Sequence, residues 1–348
     1  MKTEHILIIR FSALGDVAMM VPVVKSLAEQ YPHVRITVLS RPYARTFFEN
    51  LAPNVGFMEA DLKGEYRGVK GLNALYRRLS AKNFTSVADL HDTLRSKYLR
   101  MRFNLGRNRV EHINKHKHGK RQLTSQSDKR LMQQPTSFEN YADVFRRLGY
   151  PIDIRFSSIY DTTPPDLSQL PACMTGKKPG ERWVGIAPFA AHHGKIYPVE
   201  LMENVVERLG EQDNLRIFFF GAGKTEQQQF NDWAAKWPFC VNASGQLGGL
   251  QQELALMSQL DAMLTMDSAN MHLASLVGIP VVSVWGATHP FAGFMGWNQS
   301  MDNAIQVDLP CRPCSIYGKK ACHRGDYACL TTIHPSQIAD RLLQLINR

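Results

Sequence analysis

The sequence predicts an α/β protein built from two Rossmann-like halves, and three stretches carry the prediction. The chain opens as strand, loop, helix, strand: His5 to Ile9, a loop from Arg10 to Asp16, a helix from Val17 to Tyr31, then Val34 to Leu39. A stretch rich in Pro and Gly, Thr162 to Glu181, interrupts the chain, and the pattern restarts with the apolar run Trp183 to Pro188. Thr265 to Pro290 reads as turn, helix, buried strand and loop. The expected domains are 1–165, a linker at 166–181, and 182–348.

Each element has a local reason. Pro22 falls near enough to the start of the first helix to be tolerated there. The loop before that helix lacks G-x-G-x-x-G, so a dinucleotide site gains nothing from it. Thr85 to Leu90 is a third strand, and Phe138 to Leu148 an amphipathic helix. In the second half, Phe189 to Lys195 is a loop and Pro198 to Leu209 a helix. Leu215 to Thr225 ends in Gly-Ala-Gly-Lys-Thr, but a phosphate-binding P-loop needs glycine where Phe218 stands. Asp267 and Ser268 can cap the next helix, because a side-chain oxygen can accept from the orphan N–H groups of a first turn. Gly278-Ile279-Pro280 stops that helix, and Val281 to Trp285 is a strand. Gly286-Ala287-Thr288 follows where a parallel strand would reach its carboxyl end, the place where open α/β sheets bind ligands. With the helix start, it offers N–H groups and a positive dipole end to a phosphate. Ser336 to Ile346 closes the chain as a helix.

Composition narrows the partners. The formal net charge of +10 fits an acidic substrate, an anionic membrane surface or nucleic acid. No zinc-finger, RNP or helix-turn-helix signature is present, so nucleic acid is set aside. No run reaches the ~18 apolar residues of a membrane-spanning helix. The opening residues read as a strand and not as a leader, so a cytoplasmic protein is expected. His112 to Arg130 is a basic run. Cys311-x-x-Cys314 with Cys322 and Cys329 leaves a structural zinc and free thiols both open.

Four strings together resemble glycosyltransferase family 9, the bacterial heptosyltransferases. RFSALGDVAMMVP is similar to the family's R-x-[ST]-x-x-G-D-h-x-h-x-x-P motif, and DSANMHLA to its D-[ST]-G-x-x-H-x-A motif. WGATHP resembles a G-x-T-x-P loop, and IAPFAAHHGKIYP a P-G-A-x-x-x-x-K-x-W-P pattern. Ala269 and Phe189 depart from family glycines.

The resemblance implies a GT-B architecture, two Rossmann-like domains facing a cleft, and an inverting transfer of heptose from ADP-heptose to the lipopolysaccharide inner core. It implies Asp16 as catalytic base and Lys195 as partner of the diphosphate leaving group. Asp267, Ser268, His272, Gly286, Thr288 and Glu226 would bind the donor. Arg10, Ser12, Asp89 and Arg95 would serve the acceptor, with Lys115, Lys120 and Arg121 of the basic run attracting an acidic glycolipid at the inner face of the cytoplasmic membrane. No cofactor is required for that chemistry. The alternatives are a family member with another nucleotide sugar or acceptor, and a non-catalytic sugar-nucleotide-binding protein.

Overall fold

The computed structural model describes residues 4–347, which divide into two compact units. The first takes residues up to Lys115 together with Thr136–Ile159; the second takes His116–Pro135 and everything from Tyr160. The chain therefore leaves the first unit and returns to it before the second unit resumes at Tyr160.

The first unit contains β1 (His5–Ile9), α1 (Leu14–Ala18), α2 (Val21–Gln30), β2 (Arg35–Ser40), α3 (Arg45–Phe48), β3 (Val55–Glu59), α4 (Gly68–Ser80), β4 (Ser86–Asp89), α5 (Leu94–Leu105) and β5 (Arg109–His112). The excursion His116–Pro135 carries α6 (Lys117–Leu123), and α7 (Ser137–Arg147) lies back in the first unit. All strands pair in parallel in the order β3-β2-β1-β4-β5. Every residue of β1 is buried, as expected of a parallel strand covered on both faces. The single helix expected from Val17 to Tyr31 is instead two helices. Pro22 sits in the first turn of α2, where its missing N–H costs nothing, whereas inside one continuous helix its ring would collide with the carbonyl four residues back.

The second unit holds β6 (Arg182–Ala187), α8 (Val199–Leu209), β7 (Leu215–Phe219), α9 (Lys224–Lys236), β8 (Cys240–Asn242), α10 (Leu250–Met257), β9 (Ala262–Met266), α11 (Ala269–Leu276), β10 (Val281–Val284), β11 (Ala304–Ile305), α12 (Ala328–Thr331) and α13 (Pro335–Ile346). The parallel order is β11-β10-β9-β6-β7-β8, the doubly wound Rossmann order. The closing helix α13 buries Ile338, Leu342 and Ile346 in the same core as β6, β7, β9 and β10. Among the described residues, no helix is long and apolar enough to cross a membrane.

In both sheets the first strand, β1 or β6, has neighbours reached in opposite directions, so each sheet has a switch point: between β1 and β4, and between β6 and β9. At such points the loops leaving neighbouring strands run to opposite faces of a sheet, and open α/β sheets bind ligands there.

Candidate active site

At the first switch point the loop after β1 carries Asp16, three residues into the short helix α1. Its Oδ2 accepts from the Ala13 backbone N–H at 3.2 Å and lies 2.8 Å from Arg10 Nη2. Arg10, expected on the acceptor side, is buried. Its guanidinium also donates to the Leu90 carbonyl and lies over the Tyr141 ring, while the Tyr141 hydroxyl donates to the Asp16 carbonyl at 3.1 Å. Burial pulls the Arg10 pKa down, but Asp16 and Tyr141 outweigh it, so the guanidinium stays charged and fixes the carboxylate.

The loop after β4 meets this one. His91 accepts from the Phe11 N–H at 3.4 Å through Nδ1, and its Nε2 lies 3.3 Å from Ser12 Oγ. Burial first, then Arg10 and Lys115, lower the His91 pKa to about 4. Asp89, expected on the acceptor side, is buried. It is fully enclosed, folding its own loop by accepting from the His91 and Asp92 N–H groups, and its ion pair is with Arg100 at 3.3 Å, not with Arg95. Arg95 is exposed on the first turn of α5. Lys115 donates to the Asp92 carbonyl at 3.1 Å.

The rest of the basic run does not stay with this unit. From His116 it packs on the second, where the Lys120 ammonium lies 4.3 Å from the centre of the Phe294 ring and Lys129 donates to the Pro313 carbonyl. Arg121 is exposed there. The charge pattern marked this segment as a basic run, but it could not reveal which unit would receive it.

At the second switch point Lys195 and Asp267 meet. Lys195 ends a short turn after β6, Asp267 follows β9, and Nζ lies 2.8 Å from Oδ2, with the side chains 15% and 5% exposed. Gly318, at φ +73°, lets the lysine stem pass; a Cβ there would stand 2.7 Å from Lys195 Cγ. Ser268 takes the N-cap position of α11 but makes no capping bond, because its hydroxyl pairs with Thr265 Oγ1 at 3.0 Å. The departure at Ala269 brings no backbone strain, since its φ is not among the positive values that favour glycine. Phe189, in place of the other glycine, turns against Phe230 in the core. His272 is buried on α11.

The loop after β10 packs against the Lys195 turn. The Ala287 N–H donates to the Gly194 carbonyl at 2.8 Å, and a Cβ on Gly286 would stand 2.7 Å from that carbonyl oxygen. Thr288 is fully buried, and its hydroxyl has no hydrogen-bond partner among the described residues. Sequence reading missed what holds this loop. Arg312 donates to the carbonyls of Gly286 (2.7 Å), Thr288 (3.0 Å) and Val307 (3.0 Å), and to Gln306 Oε1 (2.6 Å). The residue sits inside Cys311-x-x-Cys314, where the cysteines draw the attention. Glu226, in the first turn of α9, accepts from the Ala222 N–H at 2.8 Å. Because β10, β9, β6 and β7 are neighbours in the sheet, the loops carrying Thr288, Asp267, Lys195 and Glu226 leave adjacent strand ends.

Cys311, Cys314, Cys322 and Cys329 line one small cavity as free thiols, but among the described residues no three His, Cys, Asp or Glu side chains are placed to hold a metal ion. Cys329 belongs to the hydrophobic core, and burial raises its pKa to about 11. Cys314 faces the Ala287 carbonyl at 3.9 Å, and Arg312 shares the cavity wall.

One pH dependence follows from the two neutral rings. Burial, with Arg312 next, also lowers His289 to about 4. An unfolded chain takes up protons on these rings near pH 6.5, and the folded protein refuses them until about pH 4. Their stabilisation is therefore complete above pH 6.5 and drains away as the pH falls towards 4. Melting temperature should decline through that window, and less steeply in His91→Gln. An unchanged slope in the variant would show that the ring titrates normally.

Two parallel Rossmann-type units in one chain make a protein of the GT-B class. The chain belongs to glycosyltransferase family 9: the family model, described as glycosyltransferase family 9 (heptosyltransferase), matches residues 72–323. A lipooligosaccharide heptosyltransferase 2 of Campylobacter jejuni is 25% identical over 176 residues, 48% of this chain and 52% of that protein. The chain thus spans about half the length of the curated relative it matches. A glycosyl transferase of family 9 from Veillonella parvula has a similar fold, with TM-score 0.72, 19% identity, and 100% and 98% of the two chains covered. So does the E. coli heptosyltransferase WaaC, solved with ADP, with TM-score 0.69, 14% identity, and 98% and 99% covered.

Proposed function

We propose that this protein is an inverting glycosyltransferase that moves a heptose from ADP-heptose to the inner core of lipopolysaccharide at the cytoplasmic membrane surface. The observation that carries the reading is the buried Lys195–Asp267 pair, set on strand ends adjacent to that of Thr288, whose fully buried hydroxyl has no partner among the described residues. An enclosed hydroxyl left unpaired costs about 1–3 kcal/mol, and a phosphate oxygen would satisfy it. The name of the curated relative supports the sugar, and ADP in the related E. coli enzyme supports the nucleotide.

The chemistry is a single displacement at the anomeric carbon. Asp16 accepts the proton of the acceptor hydroxyl as its oxygen attacks, and Arg10 keeps the carboxylate in position. The bond to the diphosphate oxygen breaks with the electron pair on the departing ADP. Lys195 and Asp267 are together neutral, so the pair presents directed N–H donors and no large net charge. The rest of the developing charge falls to the Thr288 hydroxyl and the α11 amides, which the Ser268 side chain leaves uncapped. Arg312 acts through the loop by drawing the Gly286 and Thr288 carbonyls to itself. Glu226 would hold the ribose, and His272 would orient the α11 turn. Ser12 and Arg95 remain on the acceptor side. Lys115, Lys120 and Arg121 would add long-range attraction for an acidic glycolipid.

Thermal shift with ADP-, UDP-, GDP- and dTDP-sugars tests the donor. A ligand held only by the folded state raises Tm, and ADP-heptose should raise it most. A larger shift with another nucleotide sugar would replace the donor. Turnover with ADP-heptose should give a linkage of anomeric configuration opposite to the donor's. Binding without transfer to any inner-core acceptor would leave a sugar-nucleotide-binding protein.

A further inference from the structure

The helix α5 is apolar on two opposite faces. Ser96, Leu99 and Phe103 are buried against the first unit, and Leu99 and Phe103 belong to its core. On the other side Leu94, Met101 and Leu105 are 87%, 51% and 74% exposed. At a helical turn of about 100° per residue these three fall within about 20° of one line. Lys97 flanks that line on one side, and Arg95 and Arg102 on the other. The neighbouring helix α4 is tied to α5 through Tyr98 and Arg102, both bonded to Asn73 Oδ1. It adds exposed Val69, Lys70 and Arg77.

The charge of this region has one sign. From residue 67 to residue 110 the only acids are Asp89 and Asp92; Arg100 engages both, and Lys97 also lies 3.5 Å from Asp92, while the other Arg and Lys side chains of this stretch form no ion pair with either. Exposed apolar side chains in line are costly unless something covers them, and a basic rim names the covering surface as anionic.

We propose that the exposed face of α5, with the adjoining edge of α4, docks on an anionic phospholipid bilayer. Leu94, Met101 and Leu105 enter the boundary between headgroups and acyl chains, and Lys70, Arg77 and Lys97 lie at phosphate level. The place suits a membrane-borne acceptor, since Leu94 stands three residues beyond His91, whose ring touches the Asp16 loop. The inference rests on the lipid-linked acceptor proposed above, but it is read without turnover. It also moves the docking surface away from the basic run, which folds onto the second unit.

The test is flotation of the full chain with vesicles of phosphatidylcholine, with or without about one third phosphatidylglycerol. The wild type should float with anionic vesicles, less so as salt rises, and stay behind with phosphatidylcholine alone. Met101→Glu with Leu105→Glu should weaken partitioning on the order of tenfold or more, and Lys70→Ser with Arg77→Ser by a similar factor. Both doubles change exposed residues, so their melting temperatures should match the wild type. Their turnover on a lipid-free acceptor fragment should also match. Undiminished flotation of the first double would overturn the proposal. So would loss of flotation only on Lys117→Ser with Arg121→Ser. A concentration-dependent dimer abolished by Leu105→Glu, without vesicle binding, would give the face to a second copy of the chain.

Discussion

Asp16→Asn is expected to lower kcat by about 10²–10⁴-fold, the usual scale of losing a general base. The amide keeps an oxygen to accept from the Ala13 N–H, so the turn at the start of α1 should persist. It cannot take a proton, and it no longer balances the buried Arg10 guanidinium 2.8 Å away. A modest fall in Tm should therefore accompany the loss of rate, while a donor analogue should still raise Tm by its wild-type increment. Asp16→Glu separates the two effects. It restores the charge next to Arg10 but displaces the base by one methylene, so stability should recover more than rate. Near wild-type turnover in Asp16→Asn would reduce this residue to a helix cap.

The sequence made the strand ends legible and left their partners hidden. Asp16, Lys195, Asp267 and Thr288 stand where short apolar runs break into polar loops, a pattern that local chemistry writes into adjacent residues. The parallel order of both sheets followed from the same alternation of strand and helix. Arg312 was invisible because its partners, the carbonyls of Gly286 and Thr288, lie more than twenty residues away. Nothing local to Cys-Arg-Pro-Cys marks an arginine as buried, and the cysteines suggested a metal that their placement does not gather. The ion-pair partner of Asp89 was equally hidden: it is Arg100, eleven residues on and within α5, where the helical turn brings its guanidinium back to the strand end. The two-faced character of α5 was also unreadable, because a stripe of Leu, Met and Leu has the same period whether it meets a core or solvent. Only the buried Ser96, Leu99 and Phe103 show which stripe faces the protein.

Lys195→Met should damage stability and chemistry together, and a second substitution should part them. The ammonium is the ion-pair partner of a carboxylate that is only 5% exposed. Removing it strands a buried charge, a change that costs about 3–5 kcal/mol when one partner of such a pair is lost. Tm should fall by several degrees. Donor affinity should fall as well, and kcat by about 10²–10³-fold, the scale of losing one preorganised donor at a developing oxyanion. Lys195→Met with Asp267→Asn removes the stranded charge, so Tm should return most of the way to wild type. Turnover should not return, because the double variant still lacks the ammonium donor, and the Thr288 hydroxyl and the α11 amides are left to meet the charge of the departing ADP without it. If rate recovered along with stability, the pair would be a structural brace and the diphosphate would be held elsewhere. If the single variant melted like the wild type, the carboxylate would have found water or a proton, and the neutral pair invoked for the donor site would not exist in solution.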